Sequence, residues 1–146
     1  MKLSDHFTLE EFESSATAKR LGLDNSVPKF IIPKLIKTAL GMEEVRALLL
    51  NKPIHLTSGY RSPEVNRAVG SKPTSQHITG NACDFICPLY GSPKAIVERI
   101  VASDISYDQV ILERSTSGST WVHISFSDRN RKQALSIDGQ VTREFA

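Results

Sequence analysis

The stretch Ser75-Gln76-His77-Ile78-Thr79-Gly80-Asn81-Ala82-Cys83-Asp84 sets an imidazole and a carboxylate seven positions apart across a glycine. These are two of the three side-chain types that Zn²⁺ accepts, at about 2.0–2.2 Å. The spacing is too long for one helix face, where neighbours fall at i+3 and i+4. It suits two short extended segments joined by a turn at Thr79-Gly80-Asn81, with Gly80 taking a backbone angle that other residues resist. Two ligands do not close a site, and Trp121-Val122-His123-Ile124-Ser125-Phe126 offers a third. That stretch alternates as a half-buried strand does, with Val122, Ile124 and Phe126 toward a core and Trp121, His123 and Ser125 on the polar face. Two His and one Asp leave a fourth position for water, the open coordination of a catalytic rather than a structural zinc. Each residue also has an ordinary reading: a strand histidine as a hydrogen-bonding group, Asp84 as a turn or cap residue.

The decad, the upstream Thr57-Ser58-Gly59-Tyr60-Arg61-Ser62 and the downstream Trp121-Val122-His123-Ile124-Ser125 together resemble the M15 family of zinc peptidases. This is the group of D-alanyl-D-alanine carboxypeptidases and phage endolysins, related in fold to the hedgehog signalling domain. The opening His6-Phe7-Thr8-Leu9-Glu10-Glu11-Phe12, through Asp24-Asn25, is similar to the start of its small single-domain branch. The likeness runs from about residue 3 to residue 126. It implies Zn²⁺ as cofactor, His77, Asp84 and His123 as its ligands, and the peptide stem of bacterial peptidoglycan as substrate.

Amide hydrolysis also needs a base to take a proton from water and return it to the leaving amine. Many relatives carry a glutamate three residues before the last histidine; here that position is Thr120. Glu113 is the expected replacement, placed opposite Val122 and His123 by a hairpin whose loop lies near Ser117-Gly118. Asp108 is the other carboxylate to consider, at the far end of its strand. The resemblance also implies that Arg61 binds a substrate carboxylate or supports a developing oxyanion. Ser75, Gln109 and Trp121 are candidate substrate-binding residues. The missing glutamate favours a rival reading, a non-catalytic zinc-containing module that binds wall peptide without cutting it.

The elements that must position these residues read as α+β, with N-terminal helices packed on a small, mainly antiparallel sheet. Thr8-x-x-Glu11 is a capping box opening a helix at Leu9. Apolar residues at three- and four-residue steps predict a helix over 30–50, with Pro33 in its first turn and Gly41 a weak point. Ser62-Pro63 and Ser92-Pro93 each read as a cap and a first-turn proline, opening helices to about 69 and 102. Strands are expected over 54–58, 82–86, 107–113 and 121–126, and Asp138-Gly139 predicts a closing hairpin over about 133–142. At 146 residues, 40% hydrophobic and 23% charged, the chain fits one domain, 1–146, with a metal-site core over about 54–126.

A formal charge of +2, with neither a basic stripe nor interleaved aromatics, gives no case for nucleic acid. Arg129, Arg131 and Lys132 are the densest basic spot, read as a solvated face. Cys83 and Cys87, on one strand face about 13 Å apart, are beyond disulfide reach and read as small buried residues, with a Cys/His zinc knuckle as the alternative. The N-terminus lacks a signal-peptide run and no stretch approaches a membrane span. The expectation is a monomer made in the cytoplasm that reaches the wall after release, or a virion-associated protein.

Overall fold

Helices begin where the chain supplies a cap. In a computed structural model describing residues Met1–Ala146, Thr8 caps α1 (Leu9–Glu13) through a reciprocal capping box with Glu11. Ser15 caps α2 (Ala16–Leu21), which stops at Gly22 in the left-handed region, φ +65°. This helix lies outside the expected elements, because a chain of 6 residues is too short to display a period; its cap and its glycine stop are the only signals. A single 3₁₀ turn, Lys29–Ile31, leads into α3 (Ile32–Leu48). The buried face of α3 includes Leu35, Ala39, Met42 and Val45, the expected three- and four-residue stripe. Ser62 and Ser92 accept backbone N–H bonds at the starts of α4 (Pro63–Ala68) and α5 (Pro93–Val101), each with proline in the first turn.

Six strands form one sheet: β1 (His55–Ser58), β2 (Ala82–Ile86), β3 (Gln109–Arg114), β4 (Thr120–Ser125), β5 (Gln133–Asp138) and β6 (Val141–Glu144). Their order is β1-β2-β4-β3-β5-β6. Every neighbouring pair is antiparallel except β3 and β5. The α+β class with a mainly antiparallel sheet is therefore the architecture that forms. One cluster of 22 buried residues joins Phe12 of α1 and the buried stripes of α3 and α5 to Cys83, Phe85, Val110, Val122 and Ile124 on one sheet face. Helices and sheet thus share a single core. In the closing hairpin Asp138 pairs with Val141, so the loop residues are Gly139 and Gln140 rather than the expected Asp138-Gly139. Cys83 and Cys87 are free and buried, and Cys87 lies just beyond the end of β2.

The second sheet face departs from simple alternation. It carries the polar residues that the alternation assigns to it, yet His123 and Ser125 are buried, at 8% and 0% exposure. The loop ahead of β2 is tied down beside it: Phe126 N donates to Asn81 O at 2.8 Å, and Gln76 Nε2 to the Asp108 carboxylate at 3.0 Å. A histidine on this face therefore lines an interior site rather than a surface.

Candidate metal centre

Two of the three candidate ligands come from adjacent strands. β2 and β4 pair so that Asp84 stands directly opposite His123, and cross-strand partners on one face bring their side chains within about 5 Å. The third comes from a loop. His77 does not sit on an extended segment, as the spacing had implied, but inside consecutive turns closed by Ile78 N→Ser75 O (3.1 Å) and Asn81 N→Gln76 O (3.0 Å). The turn residue Gly80 does take the expected angle, φ +80°. A Cβ there would also lie 2.7 Å from Ile31 Cγ2, so the loop needs glycine for both conformation and room.

The three side chains converge. His77 Nε2 is 3.3 Å and His123 Nδ1 is 2.9 Å from the same oxygen, Asp84 Oδ1. One donor atom from each residue lies within 4.8 Å of the others. Donor atoms about 2.0–2.2 Å from one tetrahedral ion lie about 3.3–3.6 Å apart, so this trio is close to the spacing that zinc would require. The tautomer of His77 fits as well. His77 Nδ1 is 2.6 Å from Gly59 O, and a carbonyl can only accept, so Nδ1 carries the proton. In the neutral ring Nε2 then points a lone pair at a carboxylate oxygen, an arrangement that calls for a cation between them. An outer-shell acceptor that fixes the ligand tautomer in this way is the usual partner of a metal-bound imidazole.

Gly59 is itself held from behind. A Cβ on it would lie 2.7 Å from both Cα and O of Phe12, and Tyr60 N donates to Phe12 O at 2.8 Å. Arg61 N donates to His77 O at 3.1 Å. The Gly59-Tyr60-Arg61 segment therefore braces His77 against α1. Burial pushes the Asp84 carboxyl up, but in the metal-free site, with a proton between His77 Nε2 and the carboxylate, the charge of His77, with hydrogen bonds from His123 and His77, prevails and holds it well below the usual carboxylate range. Asp84 thus stays ionised, as a ligand must.

Glu113 reaches this cluster from β3, with Oε1 4.0 Å from His123 Nδ1. Its register differs from expectation: it pairs with Trp121, while Ile111 stands opposite His123. The diagonal to His123 is within the span of a glutamate side chain. Thr120 pairs with Arg114 and alternates onto the Val122 face of β4, so a carboxylate there would point away from His123. Burial first, then the charge of Asp84, raise the Glu113 carboxyl; His123, Arg61 and the Trp121 indole pull against them. A carboxylate with raised basicity beside a cationic cluster is suited to exchanging protons.

Arg61 lies in the same electrostatic cluster. Burial lowers its affinity for the proton, while Asp84 and Glu113 favour the charged form. Its Nη2 approaches Ser75 Oγ at 3.5 Å, and its Nε is buried without a partner. The Trp121 indole N–H is likewise buried and makes no hydrogen bond of ordinary length. Ser75 Oγ also accepts from His77 N at 3.3 Å.

Gln109 is not brought to this cluster. It pairs with Ser125, one rung beyond His123 on the same face, and its amide is engaged with Gln133 at 2.6 Å. Asp108 is fully buried and committed elsewhere, with Arg131 Nε at 2.7 Å and Nη2 at 2.8 Å. The hydrogen bond from Arg131, against a smaller burial penalty, holds its carboxyl well below the usual range. Arg131 is exposed, as a solvated basic face implied, and its guanidinium also clamps Asp108. The Gly59 carbonyl and the Gln76–Asp108–Arg131 contacts escape sequence reasoning, one because it is backbone, the others because their partners are remote.

No helix is long and apolar enough to cross a membrane. No curated protein matches the chain. The Peptidase M15 family model matches residues 5–125, a span that contains His77, Asp84, His123, Arg61 and Glu113, and the chain belongs to that family.

Proposed function

We propose that this peptidase works with zinc held by His77, Asp84 and His123, and that it hydrolyses an amide bond in the peptide stem or cross-link of bacterial peptidoglycan. The observation that carries the reading is the shared Asp84 Oδ1, faced by an Nε2 whose partner nitrogen is already committed to the Gly59 carbonyl. When bound, zinc supplies Lewis acidity toward a carbonyl and toward water.

The chain's own residues supply the rest. Glu113 takes the proton of the attacking water and delivers it to the leaving amine nitrogen, from a position beside His123. The Arg61 guanidinium, with an uncommitted Nε, donates to the oxyanion that develops on the substrate carbonyl or to a substrate carboxylate. Ser75 sets the Arg61 fork through its hydroxyl, and Trp121 walls the cleft next to Glu113. Asp108 is excluded as the base, because Arg131 and Gln76 occupy both its oxygens.

The alternative of a non-catalytic wall-peptide module draws on Thr120. Glu113, delivered to the same neighbourhood from β3, favours the enzyme. A chain of this kind fits a phage or prophage endolysin or a murein carboxypeptidase. The test is digestion of purified peptidoglycan by zinc-loaded protein, read by mass spectrometry beside His123→Ala. New peptides absent from the variant identify both the activity and the bond. No new peptides from wild type that binds one zinc would favour the binding module, and a wild type that binds no zinc would remove the metal centre.

A further inference from the structure

We infer that Gln76, Asp108 and Arg131 form a positioning device for the His77 loop, setting how well that loop presents its imidazole to a metal. The inference rests on the metal-centre reading above and adds residues that touch no ligand atom.

Asp108 is fixed to the sheet by its backbone. Its N–H donates to Ser125 O at 2.8 Å, and its carbonyl accepts from Gln133 N at 3.0 Å. Its side chain is completely buried and accepts four hydrogen bonds. Arg131 supplies three, from N (3.1 Å), Nε (2.7 Å) and Nη2 (2.8 Å). Gln76 Nε2 supplies the fourth, at 3.0 Å. A carboxylate this far below its usual range is an acceptor only, so the amide end that meets it must be the NH₂ group.

Gln76 immediately precedes His77, and its carbonyl is a knot in the loop. It accepts from Asn81 N at 3.0 Å and from Thr79 Oγ1 at 3.1 Å, closing the turns that hold His77. Gly59 and Arg61 grip His77 from one side; Asp108 grips its neighbour from the other. Removing the second grip leaves His77 itself held at its ring and at one carbonyl, while the far end of the loop stays tied through Asn81 O to Phe126 N and through Gly80 O to Thr38 Oγ1.

The arginine side is also built with cost. Arg131 lies between Asn130 at φ +41° and Lys132 at φ +53°, left-handed positions that side chains other than glycine resist. Such residues persist where surrounding contacts over-determine them. Here those contacts include the backbone and guanidinium bonds of Arg131 to Asp108, and Lys132 N to Tyr107 O at 3.1 Å.

The experiment compares wild type, Gln76→Ala, Gln76→Glu and the double variant Gln76→Glu/Asp108→Asn. Zinc affinity is measured by chelator competition, and the Co²⁺-substituted forms by visible absorption. Gln76→Glu sets two carboxylates against each other, and the double variant restores a carboxylate–amide hydrogen bond with the roles exchanged. Loss of a group bonded directly to a metal-bound imidazole lowers affinity about 10–100-fold; Gln76 acts one contact further out, so a loss of up to about 10-fold is expected. We expect that loss in both single variants, with an altered Co²⁺ spectrum and retained circular dichroism, and recovery of affinity and spectrum in the double variant. Wild-type affinity and spectrum in both folded single variants would overturn the inference. Should Asp108→Asn impair folding, the two Gln76 variants decide the matter alone. A wild type that binds no zinc fails the metal-centre reading instead, so the two failures are told apart by the first titration.

Discussion

Glu113→Gln is the substitution that most sharply separates a catalytic carboxylate from a structural one. The change is nearly isosteric and removes one charge from a crowded site: Oε1 is 4.0 Å from His123 Nδ1, and Asp84 and Arg61 both act on it electrostatically. Two effects follow with different signs. Without it the one carboxylate left beside His123 is Asp84, which the metal reading commits as a ligand, and loss of general-base catalysis costs about 10²–10⁴ in rate. Stability moves the other way. Because burial and Asp84 raise the Glu113 carboxyl above its ordinary value, the ionised form is disfavoured in the folded metal-free protein relative to the unfolded chain. That penalty is absent at pH below the unfolded value, appears as pH rises above it, and is fully present once pH exceeds the folded value. At neutral pH the neutral amide removes it. The expected outcome is a peptidase slowed by at least about 10²-fold whose zinc stoichiometry is unchanged and whose metal-free urea midpoint at pH 7 is equal to or above wild type. The assay pairs release of peptides from peptidoglycan with denaturant titration and zinc analysis on the same preparation. Activity within threefold of wild type would refute the base assignment. Loss of activity together with a lowered midpoint would mean that the carboxylate holds the structure instead.

Two further predictions probe the supports of the site. In Gly59→Ala the new Cβ meets Phe12 backbone at 2.7 Å, a contact that flexible side-chain ends cannot relieve; overpacking of this kind costs about 1–3 kcal/mol, and displacement of the Gly59 carbonyl from His77 Nδ1 should weaken zinc binding in the same variant, read by thermal melting and chelator competition. The Asp108–Arg131 pair should shape the acid limb of stability: with a depressed folded value, the Asp108 carboxyl contributes stability that is present above the unfolded value of about 3.9 and is lost as pH falls through the folded one. Asp108→Asn should therefore be less stable than wild type by about 1–3 kcal/mol at pH 6, with the difference narrowing as pH falls from about 4 toward 2, in urea titrations of metal-free protein; a constant difference across that range would contradict the assignment.

Much of this centre is readable in the chain because it is encoded locally. Gly80 sits three residues after His77 and four before Asp84, so the turn that joins the loop to β2 is written between the two side chains it relates. The alternation of Trp121 to Phe126 is equally local, and β4 forms with His123 on the face that the pattern assigns. What failed to show was the burial of that face, since alternation reports which side a residue takes and not what later covers it. Gly41 illustrates the same limit: it reads as a weak point in α3, yet a Cβ there would lie 2.5 Å from the Phe126 ring, so its smallness makes room for a residue from a distant strand end.

The parts that were not legible share a physical cause. Glu113 was placed opposite Val122 and His123 but stands opposite Trp121, because hairpin register depends on turn geometry, which the polar 115–119 loop does not specify by type. It still arrives at His123, since a glutamate spans the diagonal that a shorter side chain could not. The Gly59 carbonyl carries no residue identity at all, and Gln76 meets Asp108 across 32 positions of sequence. The types of the candidate ligands are thus set by short-range pattern, while the His77 tautomer and the aim of its loop are set by backbone atoms and remote polar contacts. Substitutions at the supporting residues should consequently spare the composition of the centre and degrade its affinity by degrees, whereas substitutions at His77, Asp84 or His123 should abolish it outright.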